Sequence, residues 1–156
     1  MRKLFFAAGL AAVLALGVSG GLHAHSGATG IIKERMDVMK AIGKAMKSLG
    51  AMAKGEAKLR EKSVRSAAKA IADHSAKIEA LFPDTPKSRK GHLTEAAPAI
   101  WENNEEFLAL TEQMAKNAQA LEAAADGLDR KGLGKFVGKL ANDCKACHQK
   151  FRIKKN

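Results

Sequence analysis

Aromatic residues are scarce in this 156-residue chain: they make up 4%, tyrosine is absent, and Trp101 is the single tryptophan. Together with abundant alanine and lysine, that scarcity disfavours an all-β fold, which draws on aromatic and β-branched side chains, and suits helices. Two cysteines are too few for a disulfide-dense scaffold or an all-cysteine zinc site. Acidic residues are outnumbered, 16 against 27 lysines and arginines, for a formal net charge of +11, which bears on partners and solubility rather than on fold. At 46% hydrophobic and 28% charged, the composition is that of a globular domain, and the length suits one domain with at most an appendage.

The first residues read as an address. Arg2 and Lys3 precede an uncharged apolar run, Leu4 to Val18, and small residues follow at Ser19, Gly20, Gly21, Ala24 and Ser26. This is the order of a secretory signal peptide. The run is short of the roughly 18 apolar residues that a spanning helix needs, which disfavours a membrane anchor. The reading assigns residues 1–24 to the signal, with cleavage between 21 and 26, and residues 25–156 to one exported domain. It expects a periplasmic location and no stable membrane insertion after cleavage.

That domain divides at glycine and proline into four segments of helical period. Residues 31–54 offer Arg35, Met39, Ile42, Met46, Leu49 and Ala53 as an inward stripe, with Gly55 as the stop. Residues 56–81 offer Val64, Ala67, Ile71, Ser75, Ile78 and Phe82. Pro83 and Pro86 end that segment, and a polar, basic loop runs from Lys87 to His92. Residues 97–125 offer Ile100, Asn104, Phe107, Thr111, Met114, Ala118, Leu121 and Ala125; residues 129–153 offer Leu133, Phe136, Leu140, Cys144, Cys147 and Phe151. Each helix alone is marginal in water, so the stripes must pack together. The expected fold is all-α, an antiparallel up-down-up-down four-helix bundle. Gly43, Gly50, Gly132, Gly134 and Gly138 fall inside the helices, where each costs about 1 kcal/mol relative to alanine. Close approach of something bulky is the simplest offset; frayed helix ends are another.

Both cysteines lie in Cys144-Lys145-Ala146-Cys147-His148, the C-x-x-C-H signature of covalent c-type haem attachment. On a helix, positions three apart share a face, so two thiols can add to the two vinyl groups on one edge of haem. His148 beside them can then bind the iron. A redox disulfide is an alternative, but such pairs usually open a helix in a βαβ setting. Zinc would need a fourth ligand, and only His74 and His92, read as surface histidines, remain beyond the cleavage region.

The chain resembles class II c-type cytochromes, the cytochrome c′ family, which place C-x-x-C-H near the C-terminus. The resemblance spans the exported domain through Arg35-x-x-x-Met39, Lys54-Gly55-Glu56, Ala97-Pro98-Ala99-Ile100-Trp101 and Cys144 to Arg152. It implies a bundle enclosing one covalently bound haem c. It also implies that Met39 faces the distal side, where high-spin members carry an apolar non-ligand and the low-spin branch carries an iron-ligating methionine. Arg35 is implied as a propionate contact and Arg152 as support for the proximal side. Met39 as ordinary core filler is the alternative, and Met36 is the back-up ligand.

The expected function is therefore an exported monohaem electron carrier, with His148 and Met39 as axial ligands, and not an enzyme. The rival is a high-spin, gas-binding or nitric-oxide-handling cytochrome; a bundle without a redox role is a third option. Trp101, Phe107, Phe136 and Phe151 read as packing residues. The lysines suit docking to a redox partner with an acidic surface, while nucleic acid is disfavoured by export and the lack of a reading motif. Relatives often dimerise through the first helix, and the stripe permits a homodimer.

Overall fold

A computed structural model describes residues 27–91 and 93–153. The signal reading over residues 1–24, its cleavage point and His92 lie outside them.

Among the described residues six helices follow one another: α1 (Gly30–Lys54), α2 (Glu61–Ser75), α3 (Pro86–Arg89), α4 (Ala99–Glu102), α5 (Asn104–Ala123) and α6 (Arg130–Phe151). A short 3₁₀ turn, Glu79–Leu81, follows α2. The four long helices form a closed circuit in which α1 packs on α2 and α6, and α5 packs on α2 and α6. Cross-links fix the directions. At one end Arg65 donates to Glu122 O and pairs with Asp126, while Gly127 N donates to Glu61 Oε1 at 3.2 Å. At the other, Arg35 reaches Leu81 and Ser88, and Ala97 N donates to Phe151 O at 3.0 Å. Neighbouring helices are antiparallel, and the expected up-down-up-down bundle is the fold.

Local chemistry sets the boundaries. Gly55 adopts φ 81°, and its N–H and that of Glu56 close back on Met52 O and Ala51 O. The N–H of Ala57 also returns to Ala51 O, so α2 starts at Glu61 rather than at residue 56. Asp129 caps α6 by accepting from Gly132 N at 2.6 Å. The third segment is broken at Asn103, with φ −125° and ψ 49°, into α4 and α5. Asn104 consequently leaves the expected stripe and is exposed. The loop read as polar and basic holds the single turn α3, capped by the Thr85 hydroxyl, and buries Ser88.

Leu49, Val64, Ile71, Leu121, Leu133 and Leu140 are essentially inaccessible at the core. On α1 the buried line also takes in Ala45 and Met52, leaving Met39, Met46 and Ala53 half-buried. On α2, Ala68 and Ala72 join the expected stripe, and such small residues allow α5 to approach closely.

The glycines do not serve close packing as expected. Of the five helical glycines, Gly43, Gly50, Gly134 and Gly138 have no other atom of the chain where a Cβ would lie, and Gly132 alone is crowded, by Leu128 and the Asp129 cap. Gly43→Ala should therefore raise stability by about 0.5–1 kcal/mol, seen as a higher denaturant midpoint. A loss of stability would show instead that another surface packs on that part of α1.

Candidate functional site

The antiparallel circuit brings the first half of α1 and the last half of α6 to the same end of the bundle, where α2 also ends and α5 begins. Cys144 and Cys147, both unpaired, project from α6 as half-buried side chains against the core, in line with buried Leu140 and Phe151. Lys145 and Ala146 between them are exposed. Cys144 Sγ lies 3.9 Å from Sδ of buried Met114 on α5, a neighbour that the sequence reading did not assign to the site.

Burial, and then the charge of Cys144, pushes the Cys147 thiol up to about 11. Burial first and Asp143 second also raise Cys144. Dithiol catalysts need the opposite, a thiol whose pKa is lowered at a helix start, whereas these cysteines lie in the last two turns of α6. Among the described residues no cluster of three or more His, Cys, Asp or Glu side chains could hold a metal ion. His74, expected at the surface, is instead half-buried, with Nδ1 buried and unpartnered. His148 follows Cys147 at an exposed position, and partial desolvation with the nearby Arg152 holds its pKa below the ordinary histidine value, against an upward pull from Glu95. A neutral imidazole is the form that ligates a metal.

Arg35 is only 5% exposed. Its Nε donates to Leu81 O at 2.6 Å, Nη1 to Ser88 O at 2.9 Å and Nη2 to the Ser88 hydroxyl. Its guanidinium lies over the Phe82 ring, 4.1 Å from the centroid, while Arg89 approaches Trp101 at 5.0 Å. Burial lowers its pKa to about 10, so it stays charged at neutral pH, yet it forms no ion pair among the described residues. A guanidinium has five N–H donors, and those not used on the 81–88 segment remain for an anion. Buried positive charge without a counter-ion suits a cofactor that carries carboxylates.

Met39 and Met36 are both half-buried; Met39 packs against the core cluster and Met36 does not join it. Arg152 pairs with Glu95 at 2.6 Å, and Ile153 N donates to Glu95 O at 2.8 Å, tying the chain just after His148 to the segment before α4. Trp101, half-buried, gives its Nε1–H to Phe82 O at 3.0 Å, and Phe107 stacks edge-on between Phe82 and Phe151. These aromatics pack the same end.

Two inward thiols three positions apart, an adjacent imidazole and an unpaired buried guanidinium, all at one end of a four-helix circuit, define a c-type haem protein of the bundle class. The comparisons with known proteins agree. The family described as cytochrome c′ matches residues 30–152. A cytochrome c′ of Rhodopseudomonas palustris is 38% identical over 128 residues, 82% of this chain and 85% of that protein. A solved structure of cytochrome c′ from that organism superposes with a TM-score of 0.74, covering 83% of this chain and all of its own. A cytochrome c-556 of Agrobacterium tumefaciens is 35% identical over 81% of this chain and 99% of its own length. A nitric oxide complex of a mutant cytochrome c prime from Alcaligenes xylosoxidans, 26% identical, gives a TM-score of 0.69 over 80% of this chain and 94% of that one. This chain belongs to the cytochrome c′ family, and its cofactor is one covalently bound haem c with iron.

Denatured protein from a host that matures c-type cytochromes should weigh one haem more than the bare polypeptide, and the Cys144→Ala/Cys147→Ala double variant should lose that mass. Arg35→Met should cost about 2–4 kcal/mol in chemical denaturation, because Leu81 O and Ser88 O are left without their donor.

Proposed function

We propose that this chain is an exported, periplasmic monohaem cytochrome whose distal side admits a small diatomic gas such as nitric oxide, with Cys144 and Cys147 holding the haem edge and His148 holding the iron. The carrying observation is the apolar α1 side of the site: Val38, Met39 and Ile42 pack on the core at this end. That lining suits a neutral diatomic and disfavours a charged substrate. Family membership supports the reading, as does the structural neighbour solved with nitric oxide. It reverses the order expected from the sequence, in which the low-spin carrier came first, because the structural neighbours are cytochromes c′.

The second reading keeps that electron carrier, with Met39 as the sixth ligand. Its specific support is the placement of Met39, and not Met36, against the core. In both readings the bound haem supplies an iron that moves between two oxidation states. The protein's own part is to exclude bulk water with Phe82, Phe107 and Phe151 and to keep positive charge buried at Arg35.

Absorption spectra of the oxidised protein, and of the reduced protein with carbon monoxide or nitric oxide, separate the readings. Rapid binding and a five-coordinate ferric spectrum are expected from the first. Gas exclusion, with a low-spin spectrum abolished in Met39→Leu, would replace it with the second.

Exposed lysines on adjacent helices, Lys40, Lys44 and Lys47 of α1 with Lys131, Lys135 and Lys139 of α6, have no carboxylate partner among the described residues. They support docking to an acidic redox partner. Electron exchange with ferricyanide, an anionic stand-in, should slow as salt rises and slow further in K135E/K139E; a salt-independent rate would remove this role.

A further inference from the structure

α6 carries Arg130, Lys131, Lys135, Lys139, Lys145 and Lys150, but a single carboxylate, Asp143. That carboxylate stands one residue before Cys144 and is held in place. Asn117 of α5 donates from Nδ2 to Asp143 Oδ2 at 2.6 Å, and its own Oδ1 accepts from Gln113 Nε2 at 3.1 Å. Asn117 is 4% exposed, and a buried amide is costly unless its hydrogen bonds are made. Asp143 is half-buried and forms no ion pair among the described residues, although α6 is rich in cations. Aspartate is also a poor helix former.

We propose that Asp143, fixed by Asn117, tunes the electron affinity of the group attached at Cys144: its immobilised negative charge favours the oxidised state. The inference rests on covalent haem attachment and is independent of the choice between the gas-binding and carrier readings. Adding an electron beside a fixed negative charge is opposed by Coulomb repulsion, and partial burial weakens the screening that an exposed carboxylate would feel. The Cys144 thiol registers the same field, since Asp143 contributes to raising its pKa. The lysines of α6 pull the other way, but they are exposed and screened. Asp143 is thus a positioned counterweight, and Asn117 is the positioning residue that holds it.

The test is a redox titration of the purified holoprotein, followed by its visible spectrum, for wild type, D143N, D143E and N117L. D143N keeps an acceptor for Asn117 while removing the charge. At a fixed applied potential its ferrous-to-ferric ratio should rise about three- to tenfold. D143E keeps the charge and should stay within about twofold of wild type. N117L frees the carboxylate into solvent and should move the ratio in the same direction as D143N, by less; it decides the matter if D143N does not mature. Glu112→Gln, which removes an exposed charge on α5, is the control and should leave the ratio unchanged. An unmoved ratio in D143N and N117L with haem mass intact overturns the proposal, as does an equal shift in D143E and D143N, which would point to geometry instead of charge. Wild-type protein lacking covalent haem would instead overturn the attachment on which the inference stands.

Discussion

A pair of thiols on one helix can grip one edge of a flat ring only if the helix turns both of them inward, and that constraint shapes this bundle. α6 meets it by setting Cys144 and Cys147 in the same line as Leu140 and Phe151, which the neighbouring helices bury. The rest of the site follows from this orientation. The imidazole of His148 comes next along the chain, α1 packs along one side of α6, and α5 packs along the other with Met114 and Asn117. Raised thiol pKa values belong to the same arrangement, because side chains turned toward a core lose water.

The second organising element is Arg35. A guanidinium placed this deep would be expensive if it met only hydrocarbon. Instead it collects two backbone carbonyls and a hydroxyl from the segment joining α2 to α4, and it faces the ring of Phe82. One arginine thereby folds an otherwise irregular connection onto the first helix. It also keeps a cation where a carboxylate-bearing cofactor can meet it.

Much of this was legible in the sequence. Four helices could be read because hydrophobic spacing survives without tertiary knowledge, and the attachment site could be read because C-x-x-C-H fixes both spacing and chemistry. Arg35 already stood in the inward stripe of its helix. Its acceptors did not show, since Leu81 and Ser88 lie 46 and 53 positions away and two of the three are backbone oxygens that carry no sequence signature. The break at Asn103 was hidden for a related reason: no glycine or proline marks it, although its backbone leaves helical geometry. Asp143 had a visible signal, as the one acid on a basic helix. Its partner Asn117 did not, because a buried asparagine in a helix looks like any polar surface position until α5 is placed beside α6. The glycines misled for the opposite reason, since their lack of a side chain suggested close packing where the surface is open.

The two ends of the bundle are joined very differently. Away from the cysteines, the turns over residues 55–60 and 124–129 link helices that are consecutive in the chain, with Arg65–Asp126 bracing them. The cysteine end is assembled from the beginning of α1, the end of α6 and the long stretch over residues 76–98. Closing a long loop costs more chain entropy than closing a short turn. The molecule is thus built like a clothes peg, with its spring at the short turns and its jaws at the thiols. The spring needs only neighbouring segments of chain to meet, whereas the jaws close only when the two ends of the domain come together.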